Sequence, residues 1–314
     1  EQAYELRSVI VKENDVLLNI TGDSVARVCK VPQNVLPARV NQHVAIIRSD
    51  IEKLNPDFLL YYLQSIKEHL LSISEIGATR RAITKGMIEN LEFKVPTTSQ
   101  QLSIASILSS LDDKIDLLHR QNATLEAMAE TLFRQWFVEE AKEEWEMGKV
   151  GDLFVLQRGF DLPVQNRVNG EYPIYASSGE SGFHQEFKVN APGVTTGRSG
   201  VLGNVFYIQE DFWPLNTSLY IKEFKNSSPL HSYFVLKNID LSSFNAGSAV
   251  PTLNRNHVHE FPIEIPPMRL VDKFDTIVNP LFVKIKANQT QTRTLTVLRD
   301  TLLPKLMSGE VRVN

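Results

Sequence analysis

Asp211, followed by Glu223-Phe224-Lys225, offers two carboxylates and a lysine, the set with which metal-dependent nucleases hold Mg²⁺ and activate water. The corresponding positions in the first half of the chain are Leu36, Arg48 and Asp50, so the set is not repeated and an ordinary charged strand edge accounts for it. Asn55-Pro56-Asp57-Phe58 and Asn279-Pro280-Leu281-Phe282 share part of the Asn-Pro-Pro-aromatic tetrapeptide with which adenine methyltransferases grip a flipped base. Neither has the second proline, and no glycine-rich turn for S-adenosylmethionine precedes either; a helix entry and a helix kink are the simpler readings. Gly197-Arg198-Ser199-Gly200-Val201-Leu202-Gly203 lacks the Lys-Ser/Thr of a phosphate loop and reads as a turn or hairpin. His257 and His259 have no cysteine or acidic cluster beside them, so no metal site is expected. With no serine elbow and no nucleophile–base–acid set, the chain is expected to carry no catalytic residues of its own.

What the non-helical stretches hold in quantity is paired hydrogen-bond donors and acceptors, the side chains that distinguish the edges of bases. In the first half these are Asn41-Gln42-His43, Arg80-Arg81 and Lys85. In the second they are Arg198, Asn204, Asn216, Thr217, Lys225 and Asn254-Arg255-Asn256-His257. Any one alone reads as a solvated loop residue. Together, in two similar units, they point to a long target whose grooves recur, and double-stranded DNA is the obvious candidate.

The elements that must position them sit in a chain of 314 residues, 42% hydrophobic and 22% charged, the composition of a core-forming protein of two domains. No apolar run reaches the roughly 18 residues needed to cross a bilayer, and Glu1-Gln2-Ala3-Tyr4-Glu5 has no basic-then-apolar leader pattern. A single cysteine, Cys29, excludes a disulfide framework and a Cys-rich zinc site and suits the cytoplasm. A net charge of −4 excludes a uniformly basic coat but leaves room for local basic patches.

The two domains are copies of one another. Gly77-Ala78-Thr79 through Ile83, Ile88, Leu91, Phe93, Val95 and Pro96 reappears 170 residues later as Gly247, Leu253, Val258, Phe261, Ile263, Ile265 and Pro266. At an offset of 175, Thr21-Gly22-Asp23-Ser24 pairs with Thr196-Gly197-Arg198-Ser199, and Val40-Asn41-Gln42 with Leu215-Asn216-Thr217. Each copy has β-like runs such as Asp15 to Ile20 or Val205 to Ile208, and then a short helix, Pro56 to Leu71 or Leu230 to Lys237. A strand ending in proline, Leu91 to Pro96 or Phe261 to Pro266, and one long helix complete it. The resulting domains are residues 1–96, a helix over 97–144, a second domain over 145–266 and a helix over 267–314. The expected fold class is α+β.

Along the first long helix Ile104, Leu108, Leu111, Ile115, Leu118, Asn122, Leu125, Ala129, Leu132 and Trp136 step by four and three, the seam of a coiled coil. The second repeats it with Phe274, Val278, Leu281, Ile285, Asn288, Thr292, Leu295, Arg299, Leu302 and Leu306. Residues 97–147 hold four Lys/Arg against ten Asp/Glu, and residues 267–314 eight against four. Opposite charge favours pairing of the two helices with each other, antiparallel, in a dumbbell with a helical spacer of fixed length. Asn122, Asn288 and Thr292 are then register-setting residues.

Domain, long helix, domain, long helix: this order resembles the specificity subunit of type I restriction–modification systems. Carrying the resemblance are Trp145-Glu146-Met147-Gly148-Lys149-Val150-Gly151-Asp152 and Gly77-Ala78-Thr79 through Phe93-Lys94-Val95-Pro96. Gln100-Gln101, Leu111-Asp112-Asp113-Lys114-Ile115, Leu125-Glu126, Phe133-Arg134-Gln135-Trp136-Phe137 and Leu302-Leu303-Pro304-Lys305-Leu306-Met307-Ser308-Gly309-Glu310 add to it. The resemblance covers essentially the whole chain. It implies a non-catalytic DNA reader whose two recognition domains each read half of a split target, while the paired helices set the unread spacer and dock two methyltransferase subunits. S-adenosylmethionine for adenine methylation, and ATP and Mg²⁺ for the motor–nuclease (restriction) subunits, belong to those partners and not to this chain. No base contact carries over position by position, because recognition contacts vary within the family. A coiled-coil interaction scaffold without DNA recognition is the alternative. The first copy ends at Glu144 and the second runs 170 residues from Trp145 to Asn314, so the first is expected to be truncated at its start or cut from a longer chain.

Overall fold

Capped helix starts and strand-forming runs recur in the same order in the two halves of the chain. The computed structural model describes residues 9–75, 81–140, 145–244 and 251–313. The opening pentapeptide, Gly77-Ala78-Thr79, Arg80 and Gly247 lie outside the described residues. By its contacts the chain divides into a unit of residues 1–119 with 290–314 and a unit of residues 120–289, so the division falls within both long helices.

In the first unit, strand β1 (Val16–Asn19) lies between β2 (Val28–Lys30) and β3 (Val44–Ile47), antiparallel to both. Val16 and Leu18 face the core with no exposure. Asp15, at the mouth of β1, accepts both Arg48 Nε at 2.6 Å and Arg48 Nη2 at 2.7 Å, a two-point clamp from β1 to the end of β3. Burial pushes the Asp15 carboxyl up, but the bonds from Arg48 and the Lys12 backbone N–H outweigh it and hold it below the usual carboxylate range. Asn55 caps helix α1 (Pro56–Ser65) by accepting the Phe58 N–H at 3.0 Å, with proline at the first turn, where its missing donor costs nothing.

The single helix expected over Pro56 to Leu71 is two, α1 and α2 (Lys67–Ser74). The chain breaks at Ile66, where φ is −98° and ψ 19°, and Leu70 then drops into a cluster with Leu18, Val25 and Ile83. Thr84 caps a short helix, α3 (Lys85–Glu89), and the long helix α4 (Thr98–Arg134) follows. Gln101, 1% exposed, anchors its start: it accepts the Asn55 N–H at 2.8 Å and donates to the carbonyls of Lys53 and Pro96. Leu91 to Pro96, expected as a strand, carries none, because no described strand of this unit lies beside it.

In the second unit β4 (Glu146–Lys149), α5 (Val150–Leu153) and β5 (Phe154–Arg158) lead into β6 (Tyr172–Ala176) and β7 (Gly179–His184). β8 (Gly193–Gly197), β9 (Val205–Ile208), β10 (Trp213–Pro214) and β11 (Ser218–Phe224) follow, then α6 (Pro229–Asn238), α7 (Arg255–His259) and β12 (Pro262–Ile265). The largest sheet has the order β5-β11-β8-β9 and is antiparallel throughout. Its β9-β8-β11 part repeats the β2-β1-β3 order of the first unit. A second sheet has the order β10-β6-β7, and β12 pairs with β4. Ser228 caps α6 through the His231 N–H at 3.0 Å, again with proline at the first turn, as Asn55 does for α1. Phe133, Phe234, Phe274 and Phe282 build the core, with Phe234 and Phe274 edge-to-face at 5.8 Å. Each such buried ring is worth roughly 1.5–3 kcal/mol relative to exposure.

The second long helix, α8 (Met268–Ser308), runs antiparallel to α4 in both units. In the first unit Ile104 and Leu108 cluster with Leu306, and Arg299 Nη1 reaches Asp112 Oδ1 at 2.8 Å. In the second, Asn288 Nδ2 donates to Asn122 Oδ1 at 2.8 Å, and Phe133 packs against Phe274. The ten seam positions of each helix are all buried or half-buried. Asn288 Oδ1 and the hydroxyl of Thr292 are buried without a partner among the described residues, which makes the middle of the seam more polar than packing alone demands. α8 continues through Pro280, which lies on its exposed side.

Candidate nucleic-acid interface

Antiparallel pairing decides which loops meet. β5 ends at Arg158, β8 ends at Gly197, β9 begins at Val205 and β11 begins at Ser218, so one end of the largest sheet gathers the segments that follow or precede all four. A side chain at Gly197 would place its Cβ 1.9 Å from the Val201 carbonyl oxygen, so the tight turn there requires glycine. Arg198 is fixed by its backbone: its N–H donates to Thr217 O at 2.8 Å and its carbonyl accepts the Leu253 N–H at 2.8 Å. Its Nη1 donates to Asn216 O at 3.3 Å.

Asn254, the next residue after Leu253, caps α7 by accepting the Asn256 N–H at 3.0 Å, and Arg255, Asn256 and His257 stand exposed on the helix. Arg198, Asn204, Asn216, Thr217 and the Asn254-to-His257 run, distant in sequence, therefore lie at one end of one sheet. Lys225 stands apart from Arg198, Asn204, Asn216 and Thr217. It follows the far end of β11, about 20 Å along a seven-residue strand, and its Nζ donates to Gly151 O at 2.8 Å.

The first unit repeats the arrangement. β1 ends at Asn19 and β3 begins at Val44, so the Thr21-Gly22-Asp23-Ser24 turn and Asn41-Gln42-His43 share one sheet end. Thr21 bridges to Ala82, and the Ile83 N–H donates to Ile20 O at 2.8 Å, as Leu253 does to Arg198. This brings Arg81 and, on α3, Lys85 to the same end. Asn41, Gln42, His43, Arg81 and Lys85 are exposed; Arg81 pairs with Glu75 at 2.7 Å and Lys85 with Glu89 at 3.4 Å. Exposed pairs of this kind hold a side chain weakly and release it to a stronger partner.

Two residues of the second unit's sheet end escape sequence reasoning. Arg158, the last residue of β5, lies within 3.4 Å of Asp161, which also accepts Asn216 Nδ2. An arginine and an aspartate three residues apart carry no signal until the register Leu219↔Arg158 places them beside Asn216. In the first unit the Thr21-to-Ser24 turn belongs to the site as well, and the repeat marks it only by its match to Thr196–Ser199.

The groupings that could imitate catalysis are held elsewhere. Asp211 Oδ1 accepts the Ala191 N–H at 2.8 Å, and Glu223 stands exposed on β11. His259 Nε2 accepts the Leu156 N–H at 2.8 Å; burial first, then the positive charges of Arg255 and Lys225, push its imidazole toward the neutral form that this bond needs. Among the described residues no group of three or more His, Cys, Asp or Glu is placed to hold a metal ion, and no helix is long and apolar enough to cross a membrane.

Two similar units, each with its polar loops at one sheet end and each closed by an antiparallel helix pair, define a two-copy recognition architecture. The sequence matches the type I restriction modification DNA specificity domain over residues 6–127 and 142–290, and the chain belongs to that family. The type I restriction enzyme MjaIX specificity subunit of Methanocaldococcus jannaschii is 29% identical over 300 residues, covering 81% of this chain and 69% of the relative. The HindI specificity subunit of Haemophilus influenzae is 26% identical over 166 residues, covering 52% of this chain and 36% of that one. A crystal structure of the S subunit of a type I restriction–modification system from M. genitalium has a TM-score of 0.61 at 21% identity, covering 95% of this chain and 84% of that one. It shares the fold.

Proposed function

We propose that this chain is the DNA-reading subunit of a type I restriction–modification complex. Each unit reads one half of a split target through the loops at its sheet end, and the paired helices set the length of the unread spacer. The observation that carries this reading is the repeated convergence: two sets of donors and acceptors, unconnected in sequence, come to the corresponding end of the corresponding sheet in both copies. Paired donors and acceptors on fixed loops are what base-edge reading requires. The chemistry of the complex rests with its partners: two methyltransferase subunits using S-adenosylmethionine to methylate adenine, docked on the helices, and motor–nuclease subunits using ATP and Mg²⁺. This chain contributes positioning. With a net charge of −4, it would share phosphate contacts with basic partner subunits. The complex acts on cellular DNA, in the cytoplasm.

The test is selection from a pool of random duplexes by the chain assembled with its methyltransferase subunits. Enrichment of a gapped, two-part motif is expected. Enrichment of no motif, with the assembly intact, would leave a coiled-coil scaffold as the better account.

A further inference from the structure

At the sheet end of the first unit an open groove of about 850 Å³ lies between the Thr21-to-Ser24 turn, the Asn41-to-Val44 segment and Arg81-Ala82. We propose that His43 is a specificity-determining residue in this groove, reading one base edge in the first unit's half-target, and that Thr21 is its positioning residue. The proposal rests on the DNA-reading role argued above.

His43 is held at three points. Its backbone N–H donates to Asn41 Oδ1 at 2.9 Å, its carbonyl accepts the Ile20 N–H at 2.9 Å, and its ring Nδ1 lies 2.7 Å from Thr21 Oγ1. Thr21 is fixed in turn by its N–H to Asn19 Oδ1 at 3.3 Å and by its backbone bridge to Ala82. The imidazole is therefore an exposed ring in a set orientation with one nitrogen engaged. When the Thr21 hydroxyl donates to Nδ1, the neutral ring carries its proton on Nε2 and offers a single donor. The acceptors that a donor meets on base edges in the major groove are N7 and O6 of guanine, N7 of adenine and O4 of thymine.

The second unit has no such pair. The Arg198 N–H donates to Thr217 O at 2.8 Å as the Ile20 N–H does to His43 O, so the place of His43 is taken by Thr217. It has no ring, and its hydroxyl is buried without a partner among the described residues. The place of Thr21 is taken by Ser199, whose backbone bridges to Thr252 as that of Thr21 does to Ala82. Readout through this pair is thus confined to one half of the target. Arg81 borders the same groove and is already paired with Glu75 at 2.7 Å.

The experiment is duplex selection by the wild-type chain, His43→Ala and Thr21→Val, each assembled with the methyltransferase subunits. His43→Ala is expected to reduce base preference at one position of one half-site by about fivefold or more, leaving the other half-site unchanged. Thr21→Val, which removes the hydroxyl at constant volume, should weaken preference at that same position. If His43→Ala keeps every base preference, with affinity unchanged or uniformly lowered, His43 reads no base and the proposal is overturned. A wild-type chain that selects no gapped motif removes the DNA-reading role itself, an outcome distinct from either variant result.

Discussion

Burial in the second unit holds one histidine in its neutral form. His231 is 1% exposed, with Nδ1 2.8 Å from Ser227 Oγ and its ring against Phe133 and Phe137, and desolvation pushes its pKa down to about 3. The unfolded chain takes up a proton near pH 6.5 that the native state refuses until about pH 3. At pH 7 both states are neutral and nothing is lost; as pH falls below 6.5, stability drops by about 1.4 kcal/mol per pH unit from this group. Denaturant melts between pH 6.5 and 4.5 should show wild type losing stability more steeply than His231→Phe by that slope. Parallel pH profiles would contradict it. The hydroxyl of Ser227 keeps a partner in that variant, Ser232 Oγ at 2.7 Å.

At the same scale, the separation of Lys225 from the sheet end has a measurable consequence. Arg198→Ala is expected to weaken DNA binding by about fivefold or more, and to shift the salt slope by about one if it meets a phosphate. Lys225→Ala should change binding less than twofold, and an equal loss in both variants would contradict the geometry. Composition revealed that both residues were polar loop cations. It could not reveal their distance, because the direction in which β11 runs is a property of strand pairing and not of the residues beside it.

Among the elements, the long helices were the most legible, since a seam of four- and three-residue steps needs no tertiary information to be recognised. Asn122 and Asn288 were readable as polar seam residues, and the structure shows what they do: Asn288 Nδ2 donates to Asn122 Oδ1 at 2.8 Å, while Asn288 Oδ1 is buried without a partner among the described residues. An unpaired buried polar atom costs about 1–3 kcal/mol. Replacing both by leucine should therefore raise the melting temperature, while sedimentation should show the loss of a single assembly state, because a lone polar layer is what fixes register. A double variant that melts lower than wild type would show that the pair stabilises the fold outright. Leu91 to Pro96 was less legible. Its pattern matches Phe261 to Pro266, but a strand exists only where a neighbour accepts its hydrogen bonds, and β12 has β4 beside it. The break at Ile66 has no proline or glycine to announce it and follows instead from the packing of Leu70.

For the whole molecule, the sequence repeat carried most of the information, because copies that agree in glycine, proline, cap and core positions must share a fold. The repeat also transferred the site: once the loops of one copy are placed at a sheet end, those of the other follow. What it could not supply was the difference between copies, seen where the His43 ring faces an open groove and Thr217, in its place in the other copy, has its hydroxyl buried. The central claim is that paired helices set the spacing between two half-sites, and matched removal of a heptad from each tests it most directly. Residues 114–120 and 290–296 lie between the Asp112–Arg299 and Asn122–Asn288 contacts, so deleting both keeps the seam in phase. The loss of about 10 Å of helix corresponds to about three base pairs of duplex. Duplex selection by the deleted chain, assembled with its methyltransferase subunits, should return the wild-type half-sites with a spacer shorter by about three base pairs; the same half-sites at the original spacing would contradict the account.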